Sequence, residues 1–210
     1  MKRRDFKNLA RGEIYHIYNR GVNREKIFRD EQDYRAFLFR LGLSFGIEKK
    51  ILNQNNLTKS PRSRIRISPF PNDSFRLHAF CLMPNHFHLL IEQLSDIPVS
   101  TLLQKICTSF SMYMNLKHKR IGHLFQGNFK SVRVESNPQL IYVSSYIHMN
   151  PVKDKLAIKP EQYKWSSYGN YTNNTDFPLI YKNLIYDIFG SQANLIKQTL
   201  LYKADNENLY

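Results

Sequence analysis

Glu13-Ile14-Tyr15-His16-Ile17-Tyr18-Asn19-Arg20 alternates and is rich in β formers, the period-two pattern of a strand that Gly21 ends. Asp30-Glu31-Gln32-Asp33 then places acids where a helix begins, and Tyr34, Phe37, Leu38, Leu41 and Phe45 follow at helical spacing. Asn53 to Pro71 holds Asn, Ser, Pro and Arg with little periodicity. It reads as a mobile basic loop with a short strand at Ile65-Arg66-Ile67. Phe75 to Met83, the turn Pro84-Asn85 and His86 to Glu92 form an antiparallel hairpin. A second helix runs from Pro98 to about Lys119, with Leu102, Leu103, Ile106, Phe110, Tyr113 and Met114 on its apolar face and Gly122 at its end. Phe129 to Glu135 is a further strand. A third helix starts with Asn137 as cap and Pro138 in the first turn and stops at Asn150, because Pro151 disfavours helical geometry at the residue before it. An amphipathic segment from about Leu184 to Tyr202 closes the chain.

The order β-α-β-β-α-β-α predicts an α+β fold: a ferredoxin-like antiparallel sheet with helices packed on it, followed by a C-terminal helical extension. The chain shows no internal repeat. It divides into one domain over 1–170 and an extension over 171–210.

Composition narrows the classes of function. At 210 residues and 42% apolar content the chain can build a real core. Two cysteines, Cys81 and Cys107, exclude a disulfide framework and fit a reducing cytoplasm. No apolar run is long enough for a bilayer, and the basic start lacks an apolar signal core, so no membrane is expected. Charge changes the picture more. Lys and Arg number 31 against 17 Asp and Glu, for a formal +14 spread along the sequence rather than gathered in a tail. Such a domain is drawn to polyanions, nucleic acid first. The 14 Phe and 13 Tyr include candidates for stacking on unpaired bases.

Candidate chemistry centres on His86-Phe87-His88. On a strand the two imidazoles project from one face and Phe87 from the other. They can share a divalent cation and leave open positions for substrate. An isolated His-x-His is more often an ordinary strand pair, so the rest of the chain has to decide. Tyr146 and Asn150 lie four apart, on one face of the third helix. A tyrosine hydroxyl can attack phosphorus, and an asparagine carbonyl oxygen can complete a metal site begun by two histidines. All three ligands would be neutral and leave the cation's charge facing a phosphate. Tyr142, one turn earlier, and Tyr113, in the second helix, compete with Tyr146 as nucleophile, and spacing alone does not choose between them.

His86-Phe87-His88 on a strand with Tyr146 and Asn150 on a later helix resembles the single-tyrosine HUH transposases, most nearly the REP-associated tyrosine transposases. The similarity extends through Tyr15-His16-Ile17-Tyr18-Asn19-Arg20-Gly21, Leu82-Met83-Pro84-Asn85, Gly122-His123-Leu124-Phe125-Gln126-Gly127-Asn128, Tyr146-Ile147-His148-Met149-Asn150-Pro151 and Trp165-Ser166-Ser167-Tyr168, covering residues from about 12 to 170. It implies nicking and strand transfer of single-stranded DNA through a 5′-phosphotyrosine intermediate. Tyr146 would be the nucleophile, and His86, His88 and Asn150 would hold Mg2+ or Mn2+. It also implies hairpin-containing DNA as partner and either a monomer or a homodimer that exchanges helices between active sites. Arg20, Arg24, Lys117, Lys119, Arg120, Lys130 and Arg133 lie near the matching blocks and are candidate phosphate contacts. Arg62, Arg64 and Arg66 could touch a hairpin. The competing readings are a DNA-binding relic without catalysis and a metal-dependent phosphohydrolase in which water attacks.

Overall fold

The computed structural model describes residues 9–57, 68–173, 175 and 177–202. Its centre is a four-stranded antiparallel sheet of β1 (Ile14–Arg20), β2 (Phe75–Met83), β3 (His86–Gln93) and β4 (Lys130–Val134), in the order β2-β3-β1-β4. With α1 (Glu31–Ser44) before β2 and α3 (Val99–His118) before β4, this is the expected ferredoxin-like α+β arrangement. A short α2 (Lys49–Gln54) follows α1. Beyond β4 come α4 (Asn137–Lys153), α5 (Tyr168–Tyr171), α6 (Asn183–Phe189) and α7 (Gln192–Leu201).

Strand alternation gives the sheet two different faces. Tyr15 and Ile17 of β1, Phe80 and Leu82 of β2, and Phe87, Leu89 and Ile91 of β3 enter one core, beneath α1 and α3. On the other face Cys81, Met83 and Leu90 meet Val143 and Ile147 of α4 and Ile185, Phe189 and Leu195 of α6 and α7. His86 and His88 alternate with Phe87, so they belong to this second face. Phe87 anchors the first core, with its ring 5.1 Å from Phe37 and 5.9 Å from Phe125.

Several element ends differ from expectation. The helix α3 stops at Lys119, which takes the left-handed conformation (φ 50°), while Gly122 lies out in the following loop and accepts from the Asn115 amide. Ser136, not Asn137, caps α4; its side chain accepts from Gln139 N–H and Pro138 falls in the first turn. The same helix does not stop at Asn150. Pro151 sits inside its last turn, buried, and the turn is closed by Asp154 N–H to Asn150 O (2.9 Å) and Leu156 N–H to Pro151 O (2.8 Å). Burial and these bonds outweigh the local preference against helix before proline. The C-terminal segment is two helices, divided where Gly190 adopts φ 74°. In the expected loop, Asn53 and Gln54 belong to α2, and the strand at 65–67 with Arg62, Arg64 and Arg66 lies outside the described residues.

Because Phe87 has no exposed surface and no polar duty, Phe87→Ala should lower unfolding free energy by about 3–5 kcal/mol. Urea denaturation measures this, and a loss below about 1 kcal/mol would mean that the first core does not fix β3.

Candidate functional site

The central strands place a row of polar side chains on the second face. In the β1–β3 pairing Tyr18 stands opposite His88 and Arg20 opposite His86, and in β1–β4 Lys130 stands opposite Tyr18. All five are at alternate positions on the face that α4 covers. Over them α4 brings Tyr146, Asn150 and Lys153. Together with Asn19, Gln126, Gly127, Asn128 and Asp154 they line a cleft of about 690 Å3. The loop carrying Gln126 to Asn128 is held against the end of β1 by Gln126 N–H to Arg20 O (2.9 Å) and by Asn19 Nδ2 to Gly127 O (3.1 Å). Gly21 is needed at this junction, since a Cβ there would come 2.2 Å from Glu25 O.

Within the cleft the two imidazoles are buried and close, with ring centroids 5.0 Å apart. The Nδ1 of His86 lies 2.6 Å from Asn85 Oδ1, and the Nδ1 of His88 lies 2.9 Å from Nε2 of a third buried histidine, His16. The Nε2 of His88 is buried and has no hydrogen-bond partner among the described residues. Asn150 donates from Nδ2 to Tyr146 O (2.9 Å), and its side chain also lies within hydrogen-bonding reach of His86 and of the Tyr146 side chain. The Tyr146 ring stands edge-on to His88 at 5.4 Å and to His16 at 5.7 Å. A buried imidazole nitrogen without a hydrogen-bond partner among the described residues, a second imidazole and an amide side chain around one cleft suit a divalent cation by donor type.

Electrostatics agree with that donor set. Burial lowers the pKa of His16 to about 3, and burial followed by the nearby Arg20 charge lowers that of His86 to about 4. His88 is pushed well below the ordinary histidine range by burial first and by His16 and His86 next. All three rings are therefore neutral at pH 7, as metal ligands must be. Burial raises the Tyr146 phenol, while Asn150 and Lys153 pull it back. The hydroxyl is thus protonated at neutral pH.

Of the residues expected from sequence, His86, His88, Tyr146, Asn150, Arg20 and Lys130 converge on this cleft. Arg24, Lys117, Lys119, Arg120 and Arg133 lie outside its lining. Lys117 is bonded to Asp30 and to buried Asp33, each at 2.7 Å, where it neutralises the start of α1. That carboxylate also accepts from Tyr113 Oη (2.9 Å) and Arg29 N–H (2.8 Å). Tyr113 is accordingly a core residue far from free attack. Asp30, Asp33 and His118 lie close enough to share an ion, but the Asp33 carboxylate is already engaged by Lys117, Tyr113 and the N–H groups of Arg29 and Asp30. Arg120 pairs with Glu25, and Arg133 forms a two-pronged pair with Glu13 at 2.6 and 2.7 Å. Lys119 and Arg24 are exposed. Sequence reasoning did not single out His16, Tyr18 or Lys153. For His16 and Tyr18 the signal is alternation with Arg20 along β1; for Lys153 it is one further turn of α4 beyond Asn150.

Burying neutral histidines has a consequence for stability. His148, on α4, is a fourth, also lowered to about 3 by burial. Each of these groups stays neutral when folded and gains a proton below about pH 6.5 once unfolded, so the unfolded chain binds more protons. Stability should therefore be full above about pH 6.5 and fall as pH drops toward the folded values, by up to about 1.4 kcal/mol per pH unit for each ring. Urea midpoints taken between about pH 7 and about pH 5 test this. A flat profile would contradict neutral burial.

Comparison with known proteins places the site in context. A solved structure of a REP-associated tyrosine transposase bound to a REP hairpin superposes with a TM-score of 0.57 at 14% identity, covering 84% of this chain and 95% of that one. It shares the fold. No curated protein matches the chain. Among the described residues no helix is long and apolar enough to cross a membrane. The family model for IS200-like transposases matches residues 12–150, which contain every strand of the sheet and α4 as far as Asn150. The chain belongs to the IS200-like transposase family.

Proposed function

We propose that the protein nicks and rejoins single-stranded DNA, acting on hairpin-containing substrates through a covalent 5′-phosphotyrosine at Tyr146. Residues 1–170 would carry this activity, with 171–210 as an extension. The observation that carries the reading is the buried, partnerless Nε2 of His88 beside the Tyr146 ring in a cleft rimmed by cations. His86, His88 and Asn150 would hold Mg2+ or Mn2+. That ion would polarise the scissile phosphate and offset charge in the transition state.

The remaining steps fall to the chain's own side chains. Arg20, Lys130 and Lys153 hold DNA phosphates along the cleft. Tyr18, with the Lys130 ammonium 5.7 Å above its ring, offers a face on which an unpaired base can stack. The Tyr146 hydroxyl, kept protonated by burial, gives up its proton as Oη bonds to phosphorus. The P–O3′ bond breaks, and the departing 3′ oxygen takes up a proton to become a free hydroxyl. The reverse step, attack by a new 3′-hydroxyl on the phosphotyrosine, rejoins DNA and returns the phenol without an external energy source.

Incubating labelled single-stranded hairpins with the protein and Mn2+ tests the reading. The wild type should yield a protein-linked 5′ end. Tyr146→Phe should lose that adduct by at least ~1,000-fold while still shifting the oligonucleotide. A shifted but uncleaved wild-type substrate would indicate a DNA-binding relic, and a free 5′-phosphate product would indicate attack by water. Lys130→Ala should reduce the slope of log affinity against log salt by about 0.7, the value for one phosphate contact on a single strand. An unchanged slope would remove Lys130 from the DNA path.

A further inference from the structure

Two groups outside the cleft touch the back of the histidine pair. The turn before β3 brings Asn85 against His86. Its side-chain orientation is fixed from the far side, because Nδ2 donates to the carbonyl oxygen of Arg24 at 3.2 Å and that oxygen can only accept. The amide oxygen therefore faces His86, and it too can only accept. The ring nitrogen 2.6 Å away, Nδ1, must carry the hydrogen. Its Nε2 is then a lone-pair atom beside the Asn150 side chain.

The Arg24 carbonyl is held in place by an unusual turn. Asn23 and Arg24 both adopt left-handed backbone, with φ of 51° and 60°. Non-glycine residues pay for that conformation, so it persists only where surrounding bonds over-determine it. Here Gly21 N–H to Asn85 O and Ile27 N–H to Pro84 O, both 2.8 Å, tie the turn to the β2–β3 hairpin.

On the neighbouring ring, one proton lies between His88 Nδ1 and His16 Nε2, 2.9 Å apart. The second proton then sits on Nε2 of His88 or on Nδ1 of His16, both buried, so a cation at His88 Nε2 is what selects His88 Nδ1 as the owner. With the proton on His88 Nδ1, the partnerless Nε2 is a lone pair that a cation satisfies. Both rings then have the same form, held from behind by one neutral acceptor each.

We infer that Asn85 and His16 are positioning residues that lock His86 and His88 as Nδ1–H tautomers, so that both Nε2 atoms are presented as ready donors for a divalent cation. The inference rests on the reading of His86 and His88 as metal ligands. Outer partners of this kind typically change metal affinity by about 10–100-fold.

Imidazole 15N NMR on the metal-free protein reads the tautomers directly, and Mn2+ titration reads affinity. The wild type should show Nδ1–H on both rings. Asn85→Ala should release His86 into a mixture of tautomers and weaken Mn2+ binding by about tenfold or more. Asn85→Asp, which keeps the acceptor but not the donor, should restore the Nδ1–H form; a merely structural role for the turn would not be rescued this way. His16→Leu should release His88 and leave His86 unchanged. Wild-type rings protonated on Nε2, or an Asn85→Ala protein with unaltered tautomers and Mn2+ affinity, would overturn the inference. A wild type that holds both rings as Nδ1–H but takes up no Mn2+ supports the lock and instead defeats the metal reading.

Discussion

Burying imidazoles beneath a helix is the constraint on which the rest of this molecule turns. The face of the sheet that α4 closes contains His16, His86 and His88, all less than a tenth exposed. Water cannot satisfy their ring nitrogens, so each needs a fixed partner or an ion. Most of the local architecture follows from that need. The turn at Asn23 and Arg24 presents a carbonyl to Asn85, Asn85 turns its oxygen to His86, and His16 sits where β1 can meet His88. Among the described residues the Nε2 of His88 has no hydrogen-bond partner, and it lies in the cleft that Tyr146 and Asn150 enter.

The two faces of the sheet divide the work. The face under α1 and α3 is apolar and aromatic, with Phe37 against both Phe87 and Phe110, and supplies stability through packed area. It leaves the second face free to carry polar groups that cost free energy to bury. The anchoring of α4 shows the same division. His148 Nε2 lies 2.9 Å from Ser167 Oγ, and that hydroxyl also accepts from Phe80 N–H, so the helix is fastened to β2 through a polar relay between Tyr146 and Asn150. The two hydrogen-bonding residues that reach into the cleft are thereby held one turn apart on a rigid element rather than on a loop.

Local periodicity made much of this legible in the sequence. Alternation alone puts His86 and His88 on one face and Phe87 on the other, and helical spacing alone pairs Tyr146 with Asn150. The order of elements was enough for the ferredoxin-like sheet. What periodicity does not encode is which strand lies beside which. The role of His16 depends on β1 pairing with β3 in the register that sets Tyr18 opposite His88, and that is a long-range fact. Charge pairing is similarly hidden. Lys117 and Arg133 look like free cations in sequence, yet their partners Asp33 and Glu13 are 84 and 120 residues away. Pro151 misled for a different reason: a local preference against helix was overridden by burial and by the bonds that close the last turn.

The choice between Tyr142 and Tyr146 illustrates how a small geometric difference decides chemistry. Both lie on α4, one turn apart, and spacing does not separate them. Tyr142 turns toward the C-terminal segment, where its hydroxyl lies 3.2 Å from that of Tyr202, and it is absent from the cleft lining. Tyr146 stands one turn closer to the sheet's polar row, edge-on to His88 and His16. The α-helix rises about 5.4 Å per turn, so exchanging the two roles would move the attacking oxygen by more than the reach of a bond-forming contact. Under the proposed function, a nucleophile on a rigid helix has one usable position, and it is set by where α4 crosses the histidine row.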